Sequence, residues 1–225
     1  VISVVSMPAT LVTLLCGQIA LLASAAQLFL LRNLDRRPLL SGFLLGLLTI
    51  KPHLGLVYPL YLIATKRWRV IAAAAVTAIA LVLLSAGLFG VEMWTEYLTR
   101  GIPLQAEILH YPPPNIVAMM PTIYMDVKML GASHAVSMGA QILAAILAIF
   151  ALMRAVRQQQ SMERQMLLLA TANLLATPYL MAYDLLFFTL SLVFYAKTHA
   201  LDRVGFWIFL ASFWLPMMIR PTPVI

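Results

Sequence analysis

The sequence predicts an all-α polytopic membrane protein, and three observations carry that expectation. The chain is 63% hydrophobic and 10% charged, with a mean hydropathy of +0.94, more apolar surface than a soluble domain can bury. Eleven of its 15 basic residues lie in four short clusters between apolar runs, the pattern of cytoplasmic loops. Three runs, residues 1–31, 38–65 and 165–196, hold at most one charge each and carry polar residues at their midpoints. A bilayer core of roughly 30 Å takes about 20 helical residues, so these runs are long for one crossing and short for two. Two short helical arms meeting at a protein-lined break fit the length, because freed backbone groups survive at membrane depth only where protein or water satisfies them.

In chain order, residues 1–31 read as an apolar helix interrupted at Gly17-Gln18 and ending in the basic turn of Arg32, Arg36 and Arg37. Residues 38–65 break at Lys51-Pro52-His53, since proline ends a helix approached from below. The next cluster is Lys66, Arg67 and Arg69. If each long run crossed once, consecutive clusters would fall on opposite faces; if 38–65 and 165–196 are hairpins, all four clusters share the cytoplasmic side. The positive-inside bias favours hairpins, with a single kinked or tilted span of about 42 Å as the plainer alternative. Residues 70–91 then run outward, and residues 92–134 form an extracytoplasmic segment holding Glu92, Glu96, Glu107 and Asp126 against Arg100 and Lys128. Trp94, Tyr97, Leu98, Ile102 and Leu104 predict an interfacial helix there, and Pro112-Pro113-Pro114 an extended stretch. Residues 132–153 return inward to Arg154, Arg157 and Arg164; residues 165–196 break between Pro178 and Asp184; Lys197 and Arg203 follow, and 204–219 go outward again. The whole of 1–225 reads as one transmembrane domain, with 92–134 as its external part. Its opening at Val1 inside an apolar run predicts the C-terminal portion of a larger protein.

Several classes fall away. The basic excess sits in inter-helix turns, which argues against nucleic-acid binding. Cys16 is the one cysteine, so neither a disulfide framework nor a cysteine metal site is expected. The acids and histidines are too scattered for a recognisable ligand set. No glycine-rich phosphate loop occurs, so no metal, no cofactor and no soluble nucleotide-sugar donor is expected.

Gly17-Gln18-Ile19 before an apolar helix, then an Arg-rich turn, Gly42-Phe43-Leu44-Leu45-Gly46, Lys51-Pro52-His53 and Lys66-Arg67-Trp68-Arg69 together resemble glycosyltransferase family 87. Thr177-Pro178-Tyr179-Leu180-Met181-Ala182-Tyr183-Asp184-Leu185 is similar to a family variant in which a Pro-led turn ends in Tyr-Asp. The resemblance covers about 200 residues. It implies a GT-C-like bundle with several short, broken or hairpin transmembrane helices, and a hexosyltransferase in the bacterial inner (plasma) membrane with its site facing outward. The donor it implies is a polyprenyl-phosphate-linked sugar, with mannose the sugar of the family's mannosyltransferases, and the acceptor a lipid or glycan. GT-C enzymes keep an essential acid in their first outer loop, which implies that the catalytic base lies upstream of this chain.

The polar midpoints suggest roles. A lipid-phosphate donor becomes a phosphomonoester leaving group, and a nearby cation offsets the charge that grows on it. Lys51 is the one cation of its run and suits donor-phosphate binding, with His53 beside it; a Lys51 paired with Asp184 for structure is the plainer reading. A cation at membrane depth costs at least about 3 kcal/mol and calls for an anionic partner. Asp184 can deprotonate an acceptor hydroxyl as a catalytic group, orient Lys51, or hold acceptor hydroxyls. Gln18, Tyr179 and Tyr183 are candidate substrate-binding residues by hydrogen bonding and ring stacking, against inter-helix bonding and interfacial anchoring. His110, Tyr111 and Asn115 are candidates for an acceptor-facing loop, whereas His134 and His199 read as ordinary loop residues. The competing function is a secondary transporter or lipid flippase, which also builds sites from broken helices; a non-catalytic assembly subunit is a third reading.

Overall fold

The computed structural model describes residues 8–117, 119–200, 203–205 and 207–208, and every regular element among them is helical. Twelve α-helices follow in order: α1 (Pro8–Leu15), α2 (Ala20–Arg32), α3 (Pro38–Leu47), α4 (Tyr58–Ala64), α5 (Trp68–Phe89), α6 (Glu92–Glu96), α7 (Ile102–His110), α8 (Pro114–Val117), α9 (Ile123–Met129), α10 (His134–Arg157), α11 (Met162–Leu175) and α12 (Leu186–Thr198). Two of them, α5 and α10, are long and apolar enough to cross a membrane. The outward run expected over 204–219 lies outside the described residues apart from its first few.

All three predicted breaks are present, each with its own cause. At the first, Gly17 takes φ +60, a left-handed conformation that glycine reaches without a Cβ penalty. The Gln18 N–H then donates to Thr13 O at 2.9 Å and the Gly17 N–H to Leu14 O at 3.1 Å, the double bond of a Schellman cap. At the second, 3₁₀ turns Leu48–Ile50 and Pro52–Gly55 flank Lys51, which is extended at φ −131, ψ 73 as a residue before proline should be. At the third, residues 176–181 leave α11, and a 3₁₀ turn Ala182–Leu185 leads into α12.

The 38–65 run is a hairpin. A Cβ on Gly42 would lie 2.5 Å from Val70 O, and one on Gly46 2.8 Å from Ala74 O. Moving one turn along α3 therefore moves one turn along α5, and the two helices run parallel. Both begin at the same end of the molecule, where Arg67 pairs with Asp35. The other basic clusters gather there too. Tyr61 OH donates to Gln165 Oε1 at 3.0 Å, and the Arg32 guanidinium lies 5.2 Å over the Phe194 ring. The 165–196 run also folds back, with α11 against α12, and Leu21 and Leu28 of α2 pack on Leu186 and Leu190. The main core lies between these arms, around Leu30, Tyr58, Tyr61, Leu62, Leu152, Leu169 and Ala170.

The segment 92–134 differs in detail from its expectation. The helix expected at an interface runs from Glu92 to His110, with a π turn at Tyr97–Gly101, and its apolar residues Leu98, Ile102 and Leu104 are exposed. Pro112 and Pro113 break it, but Pro114 starts the short helix α8 instead of extending the chain, a position where a missing N–H costs nothing. His134 opens α10, its Nδ1 2.8 Å from Tyr124 OH and its ring stacked 4.4 Å from His110. Lys128 Nζ donates to His110 O at 2.6 Å and Leu109 O at 3.2 Å, satisfying carbonyls at the end of α7.

Candidate functional site

The tips of the two hairpins meet. Lys51 Nζ donates to Asp184 Oδ1 at 2.8 Å, and His53 Nε2 lies 3.3 Å from Asp184 Oδ2. Asp184 is 3% exposed, and its second oxygen also accepts the Met181 N–H at 3.4 Å. The carboxylate is thus the wall behind the Lys51 ammonium and the His53 imidazole, which reach further out, 14% exposed for Lys51 and 23% for His53. The Tyr183 ring sits 4.4 Å beneath the ammonium, within range of a cation–π contact. An ammonium has three donors; the carboxylate takes one.

Of the six residues singled out from sequence, Lys51, His53, Tyr183 and Asp184 form this one cluster. Tyr179 packs with Tyr183 against Met120, Met125 and Met181. Gln18 is half-buried at the first break, and α1 lies against the Ala182–Leu185 turn that carries Asp184. His110 and Tyr111 stack at 5.3 Å within the 92–134 segment; the Asn115 side chain lies outside the described part of the structure. His199 stacks on Tyr195 at 4.4 Å, far along α12 from the cluster.

Three side chains that the sequence reading passed over position these tips. Asn173, buried in α11, accepts the Val57 N–H at 2.9 Å and so satisfies a backbone donor freed by the break after His53. Gln141, 2% exposed in α10, accepts the Tyr124 N–H at 2.8 Å and donates to Leu175 O at 2.7 Å and Thr177 O at 3.1 Å. Gln27 accepts from Tyr58 OH at 3.2 Å. The Ala182 N–H completes the set by donating to Met119 O at 2.8 Å, which joins the Asp184 tip to the 92–134 segment. The available signal was an amide on an otherwise apolar helix, because a buried polar group persists where it is hydrogen-bonded.

Two apolar grooves of about 400 Å³ each flank Pro52. One is aliphatic, between the hairpin and α5, with Leu48, Leu56, Ile71 and Ala78 among its walls. The other is aromatic, lined by Phe89, Trp94 and Tyr97 together with Thr49 and Ile50.

The model of glycosyltransferase family 87 matches residues 1–178. No curated protein and no solved structure matches the chain.

Proposed function

Because the chain belongs to glycosyltransferase family 87, we propose that it works within a membrane, moving a sugar from a polyprenyl-phosphate donor to a lipid or glycan acceptor on the extracytoplasmic side. Family membership implies a glycosyltransferase, which weighs against the transporter and assembly-subunit readings. The observation that carries the finer proposal is the convergence of Lys51 and His53 on Asp184 at the junction of two broken helices.

In this reading the donor phosphate sits against Lys51 and His53. Cleavage of the glycosidic bond leaves the bonding electrons on the phosphate oxygen, and the ammonium stabilises that growing charge more than it stabilises the intact diester. Asp184 serves as a positioning residue. With Lys51 on one oxygen and His53 on the other, it fixes two flexible donors in advance, and fixed donors cost no reorganisation during reaction. That leaves the acceptor proton to another group. Tyr183 and Gln18 border the same junction and suit contacts to sugar hydroxyls. The aliphatic groove beside Pro52 suits the first isoprene units of the donor.

The test is transfer by the full-length protein in liposomes, supplied in parallel with a polyprenyl-phosphate-linked radiolabelled sugar and with the corresponding nucleotide sugar. Label should pass to an extractable lipid or glycan from the polyprenyl donor alone. Equal or better transfer from the nucleotide sugar would overturn the donor assignment.

A further inference from the structure

The basic end carries a site of its own. Arg37 lies just before α3 and Arg69 in the first turn of α5, in turns more than thirty residues apart, yet both line one groove of about 500 Å³ with Pro38, Leu39 and Leu40. The parallel packing of α3 on α5 through Gly42 and Gly46 is what brings the two turns together. Asp35, the acid nearest in sequence to Arg37, is paired with Arg67 instead. Both arginines are exposed, Leu39 is 67% exposed, and Trp68 stands beside Arg69 at 60%. Two guanidinium groups above exposed leucines, with an indole alongside, match a ligand that is anionic at one end and aliphatic just below.

We propose that this groove binds the phosphate headgroup of an anionic phospholipid, with Leu39 and Leu40 against the upper acyl chain. The proposal rests on the membrane reading of the chain but not on sugar transfer. Guanidinium forks pair bidentately with phosphate oxygens, and basic pockets between helices at the cytoplasmic boundary are suited to anionic headgroups. A zwitterionic lipid brings its own cation to the same place and loses the advantage. Arg154 and Arg157 line a second groove, of about 590 Å³, but its described lining comes from α10 and the residue after it. Among the described residues it has no second wall that converges two arginines, and it serves as the internal control.

The experiment titrates the full-length protein in non-ionic detergent with dioleoyl phosphatidylglycerol, dioleoyl phosphatidylcholine and inorganic phosphate. Retained lipid is read by native mass spectrometry and unfolding temperature by fluorescence. Phosphatidylglycerol should raise the unfolding temperature and remain bound, while phosphatidylcholine and phosphate should not. Arg37→Gln/Arg69→Gln should weaken phosphatidylglycerol roughly thirtyfold, the effect of two basic side chains at an anionic surface. Arg154→Gln/Arg157→Gln should stay within about threefold of the parent if general surface charge is not the cause. Should the glutamine pair fold poorly, Arg37→Lys/Arg69→Lys keeps the charge while removing the forks and should weaken binding partially. Equal loss in the two arginine pairs, undiminished binding in the Arg37/Arg69 variants, or an equal response to inorganic phosphate would each overturn the proposal.

Discussion

Lys51→Met, Asp184→Asn and the double variant form a cycle that separates a structural ion pair from a phosphate anchor. The Asp184 side chain is 2% exposed and that of Lys51 14%, so removing either partner leaves the other with little water. In Lys51→Met the carboxylate keeps, among the described residues, His53 at 3.3 Å and the Met181 N–H at 3.4 Å, both long for strong hydrogen bonds. Breaking a buried pair from one side costs about 3–5 kcal/mol, because the remaining charge is uncompensated. A lone cation at membrane depth is costly, but paired with Asp184 at 2.8 Å its removal costs more than its presence. Both single variants should unfold at lower temperature, and the double variant should recover most of the loss because it leaves no unpaired charge. Turnover should not follow. A charge-assisted phosphate contact of about 3 kcal/mol corresponds to roughly a hundredfold in rate, and neither residue of the double variant can supply it. The assay is single-turnover transfer from a lipid-linked sugar by the full-length protein, alongside thermal unfolding of the same preparations. A double variant with restored stability and near-parental turnover would refute the phosphate role and leave Lys51 as half of a structural pair.

Two further outcomes test the frame around the site. Gly42→Leu and Gly46→Leu should each destabilise the protein by about 1–3 kcal/mol through overpacking, since even a Cβ at Gly42 would sit 2.5 Å from Ala73 Cβ; unchanged unfolding temperatures would show that α3 and α5 do not pack this closely. With the native, exposed Cys16 replaced by serine, single cysteines at positions 35 and 67 should both resist a membrane-impermeant thiol reagent in intact cells, while one at position 111 reacts. Labelling at 67 but not at 35 would mean that 38–65 crosses the membrane once.

The breaks were legible because each is written in local chemistry. Gly17 reaches a backbone conformation that other residues avoid, Pro52 stops the helix below it, and Pro178 interrupts the third apolar run. The convergence of Lys51 and Asp184 was legible for a different reason: a lone cation and a lone anion, each at the middle of an apolar run, need one another to be tolerated in low dielectric. What escaped was everything decided by long-range packing. Asn173 and Gln141 looked like scattered amides, since nothing nearby in sequence reveals that their partners are Val57, Tyr124, Leu175 and Thr177. Gly42 and Gly46 were read as part of a family motif, although their physical task is to let one helix lie against another. His134 was taken for a loop residue because its partners, Tyr124 and His110, belong to separate short helices whose mutual placement no periodicity encodes.

The unequal lengths of α3 and α5 make the hairpin a gauge of depth. Both helices start at the same end and run side by side, but the arm through Ile50 rises about 20 Å while the 22 residues of α5 rise about 33 Å. Lys51 therefore stops roughly a dozen ångströms short of the level that α5 reaches. Each full helical turn added to both arms would lift the cation by about 5.4 Å without altering Asp35–Arg67 at the base. Because the Asp184 tip is tied to Met119 through the Ala182 N–H, a lengthened hairpin would carry Lys51 past its carboxylate. The depth of the two tips is thus matched by turn count, and a relative with one arm a turn longer should show a compensating change between residues 176 and 185.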